Sequence, residues 1–176
     1  MSGMGRGVLI AVIHVAIVAS LGAKLLVDRA MRPRVWARVA PIDPNLPIRG
    51  RYVRLRLEVE ASSELRQYAT GTKGAPAPGW QMGVPVALSV RDGRLIAAPA
   101  TSSSKLTARV TDRNGERVAM LDEPIAYFIP EHVADPSRRR PGEELWVEVT
   151  VPGAGAPRPI QLGVKKNGVL TPLNIE

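Results

Sequence analysis

A chain of 176 residues with 24 lysines and arginines against 16 carboxylates carries a net charge of +8 and holds no cysteine, which excludes a disulfide-stapled scaffold and any thiolate metal site. Sixteen glycines, sixteen prolines and only 4% aromatic residues argue against a helical bundle and suit short strands joined by many turns. The few aromatics and the scattered arginines leave no stacking platform for nucleic acid, so nucleic acid is not an expected partner.

The first element is the most apolar. Val8 to Ala23, VLIAVIHVAIVASLGA, carries no formal charge, and Gly7 to Leu26 is interrupted only by His14 and Lys24. A helix crossing hydrocarbon needs ~17–25 apolar residues, and the long stem of Lys24 can reach back to the headgroups. A cleaved signal peptide with Arg6 as its basic flank is the competing reading. The segments Ala19-Ser20-Leu21 and Ser20-Leu21-Gly22 fit the small-residue cleavage rule poorly, and apolar character continues to Leu26. A retained signal-anchor is therefore expected, with membrane lipid as the partner of the helix. Lys24, Arg29, Arg32, Arg34 and Arg38 come after it against a single Asp28. Taken literally, that charge places the domain in the cytoplasm, whereas a span this near the start commonly exports the domain behind it. The expectation is a single-pass inner-membrane protein with its domain on the outward, periplasmic side.

Residues 1–27 thus form the anchor and residues 28–49 a basic juxtamembrane segment with a proline-rich loop, while residues 50–176 form one domain with a single core. Asp28 to Arg38 is expected to add one helical turn and then run extended. Three prolines in Ala40 to Gly50 impose a series of turns. Arg51 to Glu60 alternates, with Val53, Leu55, Leu57 and Val59 on one face and Arg54, Arg56, Glu58 and Glu60 on the other, the pattern of a half-buried strand. Ser62 to Tyr68 predicts a short helix capped by Ser62 or Ser63, and Gly71 to Gly79 a loop. Asp92-Gly93, Asn114-Gly115 and Asn167-Gly168 predict three hairpins, because such dipeptides supply the positive φ of tight turns. Leu145 to Val151 alternates as well, with Trp146 outward. About ten short strands result, and the fold class is all-β: a small antiparallel β-sandwich or barrel-like domain behind a single N-terminal transmembrane helix.

Gly50 to Leu57, reading GRYVRLRL, resembles the signature of the GDYXXLXY family of membrane-anchored bacterial proteins. A PIDP-type loop at Pro41 to Pro44, an aromatic-Phe-Ile-Pro-Glu segment at Tyr127 to Glu131 and the closing hairpin GVKKNGVLTPL extend the likeness over nearly the whole chain. Gly50, Tyr52 and Leu55 match the signature, whereas Arg51 replaces its acidic residue and Leu57 its final tyrosine. The resemblance implies a bacterial membrane location and an anchored domain, and it supplies no activity, since the family has no established one.

Candidate contact residues are few. Asp43, Arg49 and Tyr52 can meet a ligand or partner in a groove, or Tyr52 can cap the outer face of its strand. Tyr127, Phe128, Glu131 and His132 form the aromatic cluster, and Arg138, Arg139 and Arg140 the densest charge run of the domain, suited to lipid phosphates or an acidic partner. One histidine beside one glutamate falls short of the three or four ligands a metal needs, and neither a metal nor another cofactor is expected. No serine lies between Leu21 and Ala61, so a signal-peptidase-like serine–lysine pair is missing. His132 alone stands for a Ser-His-Asp arrangement, and GAPAPG and GAGAP lack the context of a phosphate loop. The expected function is non-enzymatic: a membrane-anchored β domain binding a membrane or envelope protein, an integral membrane protein first of all. The alternative is a lipid or small-molecule module at the membrane surface, using a pocket between the proline loop and Tyr127–His132.

Overall fold

The computed structural model describes residues 3–41, 51–68, 83–101, 104–113, 115–133, 135–153 and 155–175. The described chain falls into two compact units, Met1–Arg32 and Pro33–Glu176. The first is the helix α1 (Gly3–Met31). Within it, Gly7–Val27 is long and apolar enough to cross a membrane, and all its residues are exposed. Two of its polar side chains close on the helix itself: His14 Nδ1 lies 2.8 Å from the Ile10 carbonyl and Ser20 Oγ donates to the Ile17 carbonyl at 2.8 Å. Both groups thereby avoid an unsatisfied hydrogen bond in an apolar surrounding.

The second unit is built on ten strands: β1 (Arg34–Pro41), β2 (Arg51–Ala61), β3 (Val84–Arg91), β4 (Arg94–Pro99), β5 (Thr107–Arg113), β6 (Glu116–Leu121), β7 (Ile125–Ile129), β8 (Glu143–Thr150), β9 (Arg158–Lys166) and β10 (Val169–Pro172), with the short helix α2 (Ser63–Tyr68) after β2. All belong to one sheet, and its pairings are antiparallel except for β2 with β4. β2 has four partners. Along one edge β7 pairs with Arg51–Leu55 and β6 with Glu58–Glu60, and along the other β1 pairs with Leu55–Glu58 and β4 with Glu60–Ala61. The run β2–β4–β3–β5–β6 returns to β2, so five strands close a small barrel, while β1, β8, β9 and β10 continue the sheet as an open wing.

The alternation seen in the sequence accounts for the core. Val53, Leu55, Leu57, Val59 and Ala61 are all buried, as are Val35, Ala37 and Val39 of β1 and Leu145, Val147 and Val149 of β8. Together with Ala97, Ala108, Ala119 and Leu162 they belong to one contiguous cluster. Each fully buried aliphatic side chain contributes about 1.5–3 kcal/mol by removal from water. Ser62 caps α2, its Oγ accepting from the Leu65 amide at 3.2 Å, and Leu65 packs into the core.

The turns at Asp92-Gly93 and Asn167-Gly168 have positive φ at both residues (50° and 70°, 51° and 83°), as a two-residue hairpin with the right-handed twist of its strands requires. Two strands add to the sequence reading. β1 occupies the segment read as juxtamembrane, because Arg34, Trp36 and Arg38 alternate with Val35, Ala37 and Val39 and pair with β8 and β2. β7 occupies the aromatic segment and pairs with the signature strand. The loop Gly71 to Gly79 and most of the proline-rich loop lie outside the described residues.

Gly163 is a glycine that packing demands. A Cβ there would sit 2.8 Å from Cζ3 of Trp36, whose ring reaches over β9 from the outer face of β1. Gly163→Ala is expected to displace that ring and destabilise the domain by about 1–3 kcal/mol, as overpacking does. Denaturant unfolding gives the loss, and a shift in tryptophan emission reports the displaced ring.

Candidate functional site

The inward residues of the sheet fill the core, so any contact chemistry belongs to its outer face. Along β2 this face carries Tyr52, Arg54, Arg56, Glu58 and Glu60, and the neighbouring strands add side chains in register. Tyr52 pairs with Phe128 of β7 and Arg54 with Ala126, while Glu58 lies between Arg38 of β1 and Met120 of β6.

At the C-terminal half of β2 the face is electrostatically closed. Glu58 is buried, yet its Oε1 accepts from Arg113 Nη1 of β5, and its Oε2 lies 3.7 Å from Arg38 Nε. Arg38 also holds Glu144 of β8 at 2.6 Å. Glu60 takes Arg66 and Arg94 at 3.5 and 3.6 Å, and Asp122 takes Arg109 at 2.8 Å. A carboxylate out of water is tolerated only when paired in this way. These acids therefore tie neighbouring elements of the domain together.

On the wing, Trp36 covers Gly163, and Trp146 lies beneath Lys165, whose Nζ is 4.6 Å from the ring centroid. The Trp146 indole donates to Glu144 at 3.2 Å and Gln161 donates to Glu148 at 2.8 Å. Neither tryptophan was a sequence candidate. The outward phase of Trp146 was readable from its alternation, but its meeting with Lys165 depends on the β8–β9 register.

At the N-terminal half of β2 the face is open. Tyr52 and Phe128 are 48% and 55% exposed, and their rings meet edge to face with centroids 5.4 Å apart. Such pairs add about 0.5–1.5 kcal/mol beyond area burial. Beside them, Arg54 is exposed and Arg56 half-buried. No carboxylate pairs with either among the described residues. Arg56 Nε is buried without a hydrogen bond, and its Nη1 is 4.0 Å from Met120 Sδ.

The aromatic cluster read from the sequence is divided by the strand that carries it. Successive residues of a strand point to opposite faces, so Phe128 faces outward with Tyr52 while Tyr127 falls in line with Val53. The Tyr127 hydroxyl donates to the Ile160 carbonyl at 3.4 Å, and burial raises its pKa above the ordinary phenol range. Glu131 and His132 are exposed in the turn after β7. Among the described residues no group of three or more His, Cys, Asp or Glu is placed to hold a metal ion.

Arg138 and Arg140 are exposed and Arg139 half-buried in a chain of turns around the buried Pro136. That chain is held by Arg138 N to the Asp135 carbonyl at 3.2 Å, Ser137 N to Asp135 Oδ1 at 2.9 Å and Glu143 N to the Arg140 carbonyl at 3.0 Å. Asp43 and Arg49 lie outside the described residues, and so does the groove assigned to them with Tyr52.

These features define a class: a mostly antiparallel all-β domain behind one apolar N-terminal helix. Residues 15–162 match the model of the GDYXXLXY protein family, and the chain belongs to that family. No curated protein and no solved structure matches the chain. Within the signature strand the structure gives each residue a distinct role. Tyr52 stands in the exposed aromatic pair, Leu55 fills the core, and Leu57, at the position of the family's last tyrosine, is fully buried beside it.

Because the Tyr52 ring is half in water, Tyr52→Phe is expected to change stability by less than about 0.5 kcal/mol. Phe128→Ala removes the edge-to-face contact and is expected to cost about 0.5–1.5 kcal/mol. Thermal melts of the two variants beside the parent chain measure both. Glu58→Gln leaves Arg113 without its anion and Arg38 with Glu144 alone, and is expected to cost about 1.5–3 kcal/mol, seen as an earlier denaturant midpoint with an unchanged slope.

Proposed function

We propose that this protein is a single-pass, membrane-anchored binding protein of the bacterial inner membrane, with its β domain on the outward side and an integral membrane protein as its partner. The observation that supports it best is the candidate span. Gly7–Val27 is exposed throughout, and His14 and Ser20 bond to its own backbone, so its apolar surface is open to a second helix. Helices associate in lipid through close packing of small residues, and Ala16, Ser20 and Gly22 offer them, with open space around Gly22. The domain is read as a binding module and not as an enzyme. Its carboxylates Glu58, Glu60, Glu144 and Asp122 are engaged in ion pairs with arginines of other elements.

Two measurements test this reading. Extracted in mild detergent, the full chain is expected to carry a second integral membrane protein through purification. Exchange of residues 7–27 for an unrelated apolar span of equal length is expected to abolish that association, and its survival would refute a helix-packed partner. Alkaline phosphatase fused after Glu176 is expected to be active where green fluorescent protein at the same place stays dark. The opposite pattern would put the domain in the cytoplasm and make the arginines around Arg29 to Arg38 a retention signal.

A further inference from the structure

We propose that the open end of the outer face, formed by Tyr52, Phe128, Arg54 and Arg56, docks on the anionic phospholipid headgroups of the bilayer in which the span resides. Tyr52 and Phe128 are two of the three exposed large hydrophobic side chains described in the β domain, the third being Val169 on β10. That two of them meet on adjacent strands makes one apolar projection, flanked on its row by the small side chain of Ala126. A tyrosine with an apolar body and a polar hydroxyl suits the interface between acyl chains and headgroups, where aromatic residues concentrate.

Charge supplies the second, independent observation. Arg38, Arg66, Arg94, Arg109 and Arg113 each meet a carboxylate of the domain. Arg54 and Arg56, next to the aromatic pair, meet none among the described residues, and the buried Nε of Arg56 has no acceptor. Two guanidiniums lacking an anion, beside rings lacking a cover, are complementary to a surface of phosphates over hydrocarbon. Chain length makes that surface the nearest one. Only residues 28–33, of which 28–31 continue α1, separate Val27, the end of the candidate span, from Arg34, the start of β1, so the β domain is tethered next to the bilayer. Docking would turn the signature strand toward the lipid and fix the orientation in which the rest of the domain meets its partner.

The absence of native cysteine allows single labels in the full chain. Ala126→Cys places an environment-sensitive fluorophore between the aromatic pair and Arg54, and Glu116→Cys places one at an exposed site at the start of β6. Each protein is put into nanodiscs of phosphatidylcholine or of an equimolar phosphatidylcholine–phosphatidylglycerol mixture, with nitroxide-headgroup lipid as quencher. In the anionic discs quenching at position 126 is expected to exceed that at position 116 by about twofold or more, and to fall to the level of position 116 at about 0.5 M salt, where surface charge is screened. Arg54→Gln with Arg56→Gln is expected to abolish the excess, and so is Phe128→Ser in a second protein whose circular dichroism matches the parent. Equal quenching at the two positions would overturn docking. An excess that is undiminished in pure phosphatidylcholine would overturn the assignment to anionic headgroups. Shielding of position 126 only when a co-purified membrane protein is present would assign the face to that protein instead. Exchange of the span for an unrelated apolar one leaves this readout in place, so docking and the helix-packed partner stand or fall separately.

Discussion

The domain depends on one strand being hydrogen-bonded along both edges to four others. β2 is eleven residues long, about twice the usual strand. That length lets one edge serve β7 and then β6 while the other serves β1 and then β4. A strand so enclosed has one face available for the core, and Val53, Leu55, Leu57, Val59 and Ala61 occupy it without interruption. A slip of one residue would carry all five to the outer face and bring Arg54 and Arg56 into the core. The register of the whole sheet is thereby tied to the apolar phase of this segment.

Ring closure depends on the same strand. The five-strand circuit is completed by only two parallel pairs, Glu60 with Ile96 and Ala61 with Ala97, and by two antiparallel pairs between β3 and β5. These short seams are reinforced by contacts from outside the ladder. Ser62 N donates to the Ala97 carbonyl at 2.9 Å, Val86 N to the Leu106 carbonyl at 2.9 Å, and the Ser104 hydroxyl to the Val86 carbonyl at 2.7 Å. Buried backbone groups at a seam need such partners, since an orphaned one costs about as much as a lost hydrogen bond.

The outer face divides by charge. Toward the C-terminal half of β2, Glu58 draws Arg38 and Arg113 together and Arg38 extends the network to Glu144, so an ionic chain links β1, β2, β5 and β8. Toward the N-terminal half no carboxylate among the described residues pairs with Arg54 or Arg56, and these two arginines lie beside two exposed rings. Where the family signature has an acidic second residue this chain has Arg51, and where it ends in tyrosine this chain has a core leucine. Tyr52 and Leu55 keep the alternation that sends one to the surface and the other inward. The proposed headgroup contact is built on Arg54 and Arg56, which share the outward phase with Tyr52.

Local chemistry alone determined a good part of this. The apolar stretch, the alternation of β2 and β8, the Ser62 cap and the turns at Asp92-Gly93 and Asn167-Gly168 were legible because each rests on residues close in the chain: period, capping geometry and positive φ are short-range properties. The all-β class emerged from their sum. Tertiary structure decided what joins residues far apart. The parallel closure of β2 on β4, the pairing of β7 with the signature strand, the Arg113–Glu58 contact and the seating of Trp36 on Gly163 have no sequence signal, because strand order and register are set by packing between distant segments. The candidate site shows the same division. Tyr52 and Phe128 were each visible as aromatics in the sequence, but only the β2–β7 register placed them ring to ring and turned Tyr127 away. Arg54 and Arg56 read as two charges among many until the structure gave Arg38, Arg66, Arg94, Arg109 and Arg113 their carboxylates and, among the described residues, none to these two beside the exposed rings.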